Sequence, residues 1–286
     1  MLSSADSIPQ LGTGWFSPPS VEDACEVLGE LQGAGRPIAG CTMLTPLALS
    51  TDPSVRVAVD LTTLPELQGI EQESGRLRIG ATATAQALAT STTVRESAPM
   101  LASVAGGIGD EVLRGMATIG GNVAARAPAP LELPIALAAL GASIKIASSR
   151  GARSIHAIEL SGPGFQLARD EVIETITVPT RAEGDRWSYR KLTTNLTAYS
   201  IGCVALRVPA TGEPAAFAGL GTPIPQRLDA VERALANGSA DPARVAADAC
   251  ASLVSDTDPL ASASYRLRGL EVLLEEELLR LTGLDG

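Results

Sequence analysis

The sequence predicts an α+β protein: a mixed α/β part of about 175 residues, then a sheet of three or four strands followed by helices. Three observations carry this. Helical spacing and short β-branched runs alternate through the first part. From "DEVIETITVP" onward, strand-like runs follow one another at meander spacing. From Leu228 the helical period returns and persists to the end.

Taken in order, residues 1–20 read as an irregular lead-in. "FSPPS" sets two prolines before Ser20, a good N-cap. Val21, Ala24, Val27, Leu28 and Leu31 then keep helical spacing. "GAGRPIAG" is a glycine stop, a strand over Arg36–Ala39 and a glycine turn. "TPLALS" reads as a short helix, "SVRVAVDL" as a strand, and "TTLPELQGI" as a turn with a short helix. "GRLRIGATAT" is a strand leading to a helix start at Thr84, with helices over 85–90, 91–96 and 98–105. "GGIGDEVLRGMATIGGN" mixes glycine with a short amphipathic turn. Leu131–Leu140 is an apolar helix ended by Gly141. "ASIKIAS" and "ARSIHA" are strands joined at 149–151. "DEVIETITVP", "RWSYRKL", "YSIGCVALRV" and "AAFAGLG" are strands. Leu228–Ala236, Pro242–Val254 and Pro259–Leu281 are helices.

Composition narrows the function. With 45% hydrophobic and 19% charged residues, 286 residues can bury a sizeable core. A net charge of −10 without any basic cluster argues against nucleic acid. Aromatics at 3% argue against base or sugar stacking. Cys25, Cys41, Cys203 and Cys250 show no C-x-x-C spacing, so no local iron–sulfur or zinc site is expected. They read as free thiols in a reducing compartment. Met1–Gln10 has no signal-peptide character, and no run approaches about 18 apolar residues. A cytoplasmic protein without a membrane span is expected.

Catalytic groups are sparse. The single histidine, His156, lies in a strand-like run. No serine sits in G-x-S-x-G, and no carboxylate pair has a compelling spacing. Two glycine-centred loops stand out instead: Ala39-Gly40-Cys41-Thr42-Met43, and Thr118-Ile119-Gly120-Gly121-Asn122 after Ala117. Small residues let a phosphate approach backbone N–H groups, and Thr and Asn side chains add donors. Neither loop is a G-x-G-x-x-G fingerprint or a P-loop. Together they could hold the two phosphates of a dinucleotide, in a module whose cofactor does the chemistry.

At these loops the chain resembles a known family. "LASVAGGIGDEVLRGMATIGGNVAARAPAPLELPIALAALGASIKI" is similar to the second FAD-binding region of the molybdenum hydroxylase flavoproteins, the medium subunits of the xanthine dehydrogenase family. "RPIAGCTMLTPL" resembles their first loop. "RLRIGATATAQALATSTTVRESAPML", "GPGFQLARDEVIETITVP" and "WSYRKL" match in order and spacing, so nearly the whole chain is covered.

The resemblance implies a two-lobed FAD-binding domain of the vanillyl-alcohol-oxidase type, followed by a C-terminal antiparallel sheet with helices. Its lobes would span residues 1–60 and 61–178, and the C-terminal domain residues 179–286. FAD would be held non-covalently. Ala39, Gly40, Cys41, Thr42 and Met43, with Thr118, Ile119, Gly120, Gly121 and Asn122, would wrap the pyrophosphate and ribityl chain. Ile108 would lie against the flavin end. Tyr189 and Lys191 would line the pocket near the ring. Three positions depart from the pattern. Cys41 stands in place of the usual second glycine, and Met43 in place of a polar residue. Leu131 occupies the expected carboxylate position, with Glu132 one residue on.

The implied function is electron transfer within a molybdenum hydroxylase, an oxidoreductase assembly. A small subunit with 2Fe-2S clusters would pass electrons to FAD here, and a large molybdopterin subunit would hydroxylate the substrate. A heterotrimer, often doubled, is implied. No metal site and no catalytic side chain are expected in this chain. Two other readings stay open: a flavin-free assembly subunit, and a standalone flavin oxidoreductase.

Overall fold

A computed structural model describes residues 14–42, 56–125, 132–162, 165–194, 200–222, 224–238 and 241–283. The first sheet has three parallel strands, β1 (Gly14–Phe16), β2 (Gly35–Ile38) and β3 (Val57–Asp60), in the order β1-β3-β2. Helix α1 (Val21–Glu30) covers it, capped where Ser20 Oγ accepts the Asp23 N–H at 3.1 Å. Its apolar stripe of Ala24, Cys25 and Leu28 packs with Val57 and Val59.

The second sheet is antiparallel. It contains β4 (Ile70–Glu73), β5 (Arg76–Gly80), β6 (Ser143–Ser148), β7 (Gly151–His156) and β8 (Val172–Pro179), in the order β4-β5-β8-β6-β7. Between β5 and β6 run α2 (Ala85–Thr90), α3 (Thr92–Ser97), α4 (Pro99–Gly106), α5 (Glu111–Met116), α6 (Ile119–Ala124) and α7 (Glu132–Leu140). Every residue of α7 is buried. An apolar helix buried all round needs neighbours on each side. The five-stranded sheet and α4 supply some, and a third sheet supplies the rest.

That third sheet is antiparallel, with β9 (Arg186–Leu192), β10 (Gly202–Val208), β11 (Ala215–Gly219) and β12 (Gln226–Arg227). Both its faces are covered. Cys203, Ala205 and Phe217 join the core around α7. Val204, Leu206, Ala216 and Ala218 face the C-terminal helices α8 (Asp229–Asn237), α9 (Pro242–Cys250) and α10 (Ala263–Thr282). Burial on both faces makes β10 read as a continuous apolar run.

Several elements differ from the sequence reading. Gly14–Phe16 is a strand within the expected lead-in, and Ile70–Glu73 is a strand after the turn. Helix α9 stops at Cys250. Helix α10 starts after Ser262, whose hydroxyl accepts the Tyr265 N–H at 3.2 Å. The expected helix at 45–50 lies outside the described residues. Among the described residues, no helix is long and apolar enough to cross a membrane.

Candidate functional site

The second glycine-centred segment is not a loop. Thr118 is an N-cap whose Oγ1 accepts the Gly121 N–H at 3.1 Å, and Ile119–Asn122 form the first turn of α6. Glycine disfavours a helix, but two features override that propensity here. The capping hydroxyl is one. The other is a tight seat: a β-carbon on Gly120 would stand 2.8 Å from both the β-carbon and the carbonyl oxygen of Ala81. The chain crosses itself at this point. Gly120 N–H donates to Ala81 O at 2.9 Å, Ile119 N–H to Ala83 O at 2.9 Å, and Ala85 N–H to Ala117 O at 2.8 Å.

The first loop leaves β2 and passes directly over this crossing. A β-carbon on Gly40 would lie 1.8 Å from the Met116 carbonyl oxygen, so only glycine fits there. Cys41 follows with φ +55, a left-handed conformation that costs a non-glycine residue about 1–2 kcal/mol. Burial, and then the charge of Asp60, hold the Cys41 thiol above its usual pKa. It therefore stays a neutral thiol near neutral pH and places no anion in the loop.

The two segments border one cleft. A cavity of about 410 Å³ is lined by Ala39, Gly40, Cys41 and Thr42 on one side and Thr118, Gly121 and Asn122 on the other. Arg36, Arg169 and Glu171 complete its far wall. Glu171 is ion-paired to Arg153 at 2.6 Å and accepts the Ala168 N–H at 2.8 Å. Both hold its carboxyl below the usual range, the Arg153 bond most strongly. Across the Ala39–Gly40 and Thr118 junction lies a second cavity of about 370 Å³, lined also by Thr62, Gln68, Thr82, Thr84, Gly115 and Met116. Met43 lies outside the described residues.

Ile108, Glu132, Tyr189 and Lys191 line neither cavity. They gather where α4 ends, α7 begins and β9 crosses. Lys191 Nζ lies 3.2 Å from Glu132 Oε1 and also donates to the Gly107 carbonyl. Glu132 is buried at the first residue of α7. Burial raises its pKa, against the opposing pull of Lys191. Burial, then the nearby Glu132 carboxylate, drive the Tyr189 hydroxyl well above its usual value. Tyr189 and Glu132 shift each other by charge and through a side-chain hydrogen bond, so the Tyr189 hydroxyl and the Glu132 carboxyl face each other within the buried cluster. Asn122 Oδ1, by contrast, is buried without a partner. An orphaned buried polar atom is costly and is normally paired, so Asn122 Oδ1 marks a place where a ligand's polar group could be received.

The sequence reading missed Arg36, Leu167, Arg169 and Glu171. Arg36 lies on β2, and Leu167, Arg169 and Glu171 lie in the turn before β8; their segments stand out in the sequence, but only the fold brings these side chains to the cleft. His156, exposed at the end of β7, uses its backbone N–H to bond Glu159. Among the described residues, no group of three His, Cys, Asp or Glu side chains could hold a metal ion.

Comparison with known proteins agrees with this architecture. Residues 10–181 match the family described as the FAD binding domain in molybdopterin dehydrogenase. The nicotine 6-hydroxylase medium subunit of Paenarthrobacter nicotinovorans is 31% identical over 194 residues, covering 67% of each chain. The carbon monoxide dehydrogenase medium chain of Afipia carboxidovorans is 28% identical over 209 residues, 72% of each chain. Among solved structures, a cyanide-inactivated Cu,Mo-CO dehydrogenase superposes with a TM-score of 0.86 at 26% identity, over 93% of this chain and 96% of that one. Quinoline 2-oxidoreductase of Pseudomonas putida superposes with a TM-score of 0.82 at 25% identity, over 95% and 97%. With a matched FAD-binding region spanning residues 10–181 and a fold shared nearly end to end, the chain belongs to the family of FAD-binding domains of molybdopterin dehydrogenases.

Proposed function

We propose that this chain is the FAD-binding electron-transfer subunit of a molybdenum-containing hydroxylase. It would take electrons from iron–sulfur centres on a small partner subunit and deliver them to an external acceptor, while a large molybdopterin subunit oxidises the substrate. The observation that carries the reading is the convergence of two small-residue segments on one cleft, in a chain of an FAD-binding family.

The residues present fit the cofactor. Gly40 packs against the Met116 carbonyl and Gly120 against Ala81 with no room for a β-carbon, which holds the two segments close together beside the cleft. Ala39, Gly40, Cys41 and Thr42, with Thr118, Gly121 and Asn122, would border the pyrophosphate and ribityl chain, while Ile119 and Gly120, whose N–H groups are already donated to Ala83 and Ala81, would shape the helical turn behind them; Met43 is the remaining position of that set. Ile108, Glu132, Tyr189 and Lys191 would receive the flavin end. The orphaned buried oxygen of Asn122 supports this assignment. Bound FAD supplies what no side chain here can, the acceptance and release of electrons singly or in pairs. Lys191 offers a fixed positive charge, and its pairing with Glu132 holds that ammonium in place.

The three sheets support a division into lobes 1–60 and 61–178 and a C-terminal domain 179–286. Four free cysteines among the described residues support a reducing, cytoplasmic setting. A second reading, a flavin-free assembly subunit, is favoured by one observation: a side chain at a left-handed position of the first loop, Cys41.

The test is isolation of the tagged chain from its own cells, with metal analysis of what accompanies it. Co-purifying subunits that carry molybdenum and iron are expected. Recovery of the chain alone, or with metal-free partners, counts against the proposal.

A further inference from the structure

Three consecutive carbonyls, at residues 107–109, are bound by two cations from different elements. Lys191 on β9 donates to Gly107 O. Arg114 on α5 donates through one guanidinium nitrogen to Ile108 O at 3.2 Å and Gly109 O at 3.1 Å. Its Nε donates to Gln86 Oε1 on α2 at 2.9 Å. Gly109 in this turn has φ +46, the left-handed region that favours glycine.

Arg114 therefore joins three pieces. Gln86 lies two residues past Thr84, which lines the second cavity. Gly115 and Met116, directly after Arg114, line the same cavity, and the Met116 carbonyl is the atom that excludes any side chain at position 40. Ile108 is the residue whose backbone Arg114 holds. A planar guanidinium can fork to several acceptors in fixed directions, whereas an ammonium acts as a point charge on a flexible stem. A cation at the carboxyl end of α4 also suits the helix dipole.

We propose that Arg114 is a positioning residue, one that fixes the turn carrying Ile108 relative to Gly115 and Met116 at the second cavity and so sets how the flavin end is held. This rests on the FAD reading above. Nothing in it requires Arg114 to touch the cofactor.

The experiment compares the full-length wild-type chain with Arg114→Gln and Arg114→Lys. FAD is titrated into each, and the visible flavin band is recorded at saturation. Melting of the FAD-free proteins checks the fold. Arg114→Gln is expected to weaken FAD binding about tenfold or more, the loss of about 1.4 kcal/mol, and to shift the saturated band towards that of free FAD. Arg114→Lys should fall between. If Arg114→Gln fails to fold, Arg114→Lys alone carries the comparison, with the same shift expected in smaller measure. A folded variant with affinity within about twofold of wild type overturns the proposal. So does weaker binding with an unchanged band at saturation, which marks general loosening rather than a misplaced flavin end. A wild-type chain that binds no FAD removes the underlying reading, and the proposal with it.

Discussion

A β-carbon on Gly40 would stand 1.8 Å from the carbonyl oxygen of Met116. The first loop thus rests on the end of α5 with no room between them, and this contact closes the cleft between the two glycine-centred segments. Backbone atoms on both sides leave little freedom to yield. Gly40→Ala is expected to cost about 2 kcal/mol or more and to abolish FAD retention. Gly29→Ala, inside α1 and lining neither cavity, where a β-carbon would meet only ordinary contacts, the nearest with Asp170 at 3.5 Å, should leave flavin retention unchanged and the fold no less stable. Chemical denaturation and flavin content of the two variants check this pair.

Cys41 stores strain that glycine would not. Left-handed backbone costs a residue with a β-carbon about 1–2 kcal/mol, while glycine returns part of that gain as unfolded-state entropy. Cys41→Gly should stabilise the protein by about 0.5–1 kcal/mol and keep or improve FAD binding. Cys41→Val, β-branched at φ +55, should lose both. Urea midpoints for the two variants give the answer.

Glu132 makes a prediction about pH. Its folded-state pKa is raised above the ordinary 4.5, by burial first. In the window between that ordinary value and the folded one, the native state binds more protons than the unfolded chain. Stability therefore falls as pH rises through the window, and the loss is complete above the folded pKa. Glu132→Gln removes the titration while keeping an acceptor for Lys191. Its stability difference from wild type should shift in favour of the variant as pH climbs through the window. A difference that is flat with pH refutes this account of the site.

The Arg153–Glu171 pair behaves in the opposite sense. Glu171 is buried and its pKa is lowered, chiefly by its hydrogen bond to Arg153. Its contribution is present above the unfolded value and is lost as pH falls through the folded one. Arg153 is 43% exposed, so the pair is partly screened. Arg153→Met should cost about 1–2 kcal/mol at neutral pH, less in acid, and should weaken the wall of the larger cavity. Melting temperatures at two pH values read the effect.

Much of the fold is legible in the sequence because local signals and packing agree. The strand Arg186–Leu192 is bounded as its pattern suggests, and Thr84 starts a helix as its cap residue suggests. Gly14–Phe16 escapes notice because three residues cannot display a period, and the strand forms only by pairing with Val57–Val59. The segment Thr118–Asn122 reads as a loop because composition shows two glycines. Its helical state comes from a cap and from a tight seat on Ala81, a contact distant in sequence. The site divides in the same way. Its small residues announce themselves as motifs, while Arg114 and Glu171 act through partners that only the folded chain brings near.

The central claim is that the cleft between Ala39–Thr42 and Thr118–Asn122 holds FAD. The most direct measurement purifies the chain with its co-expressed partners, releases any flavin with acid, and identifies and counts it by chromatography. The account predicts close to one FAD per chain. No flavin, even after the assembled complex is incubated with excess FAD, would contradict it and leave the assembly subunit as the better description.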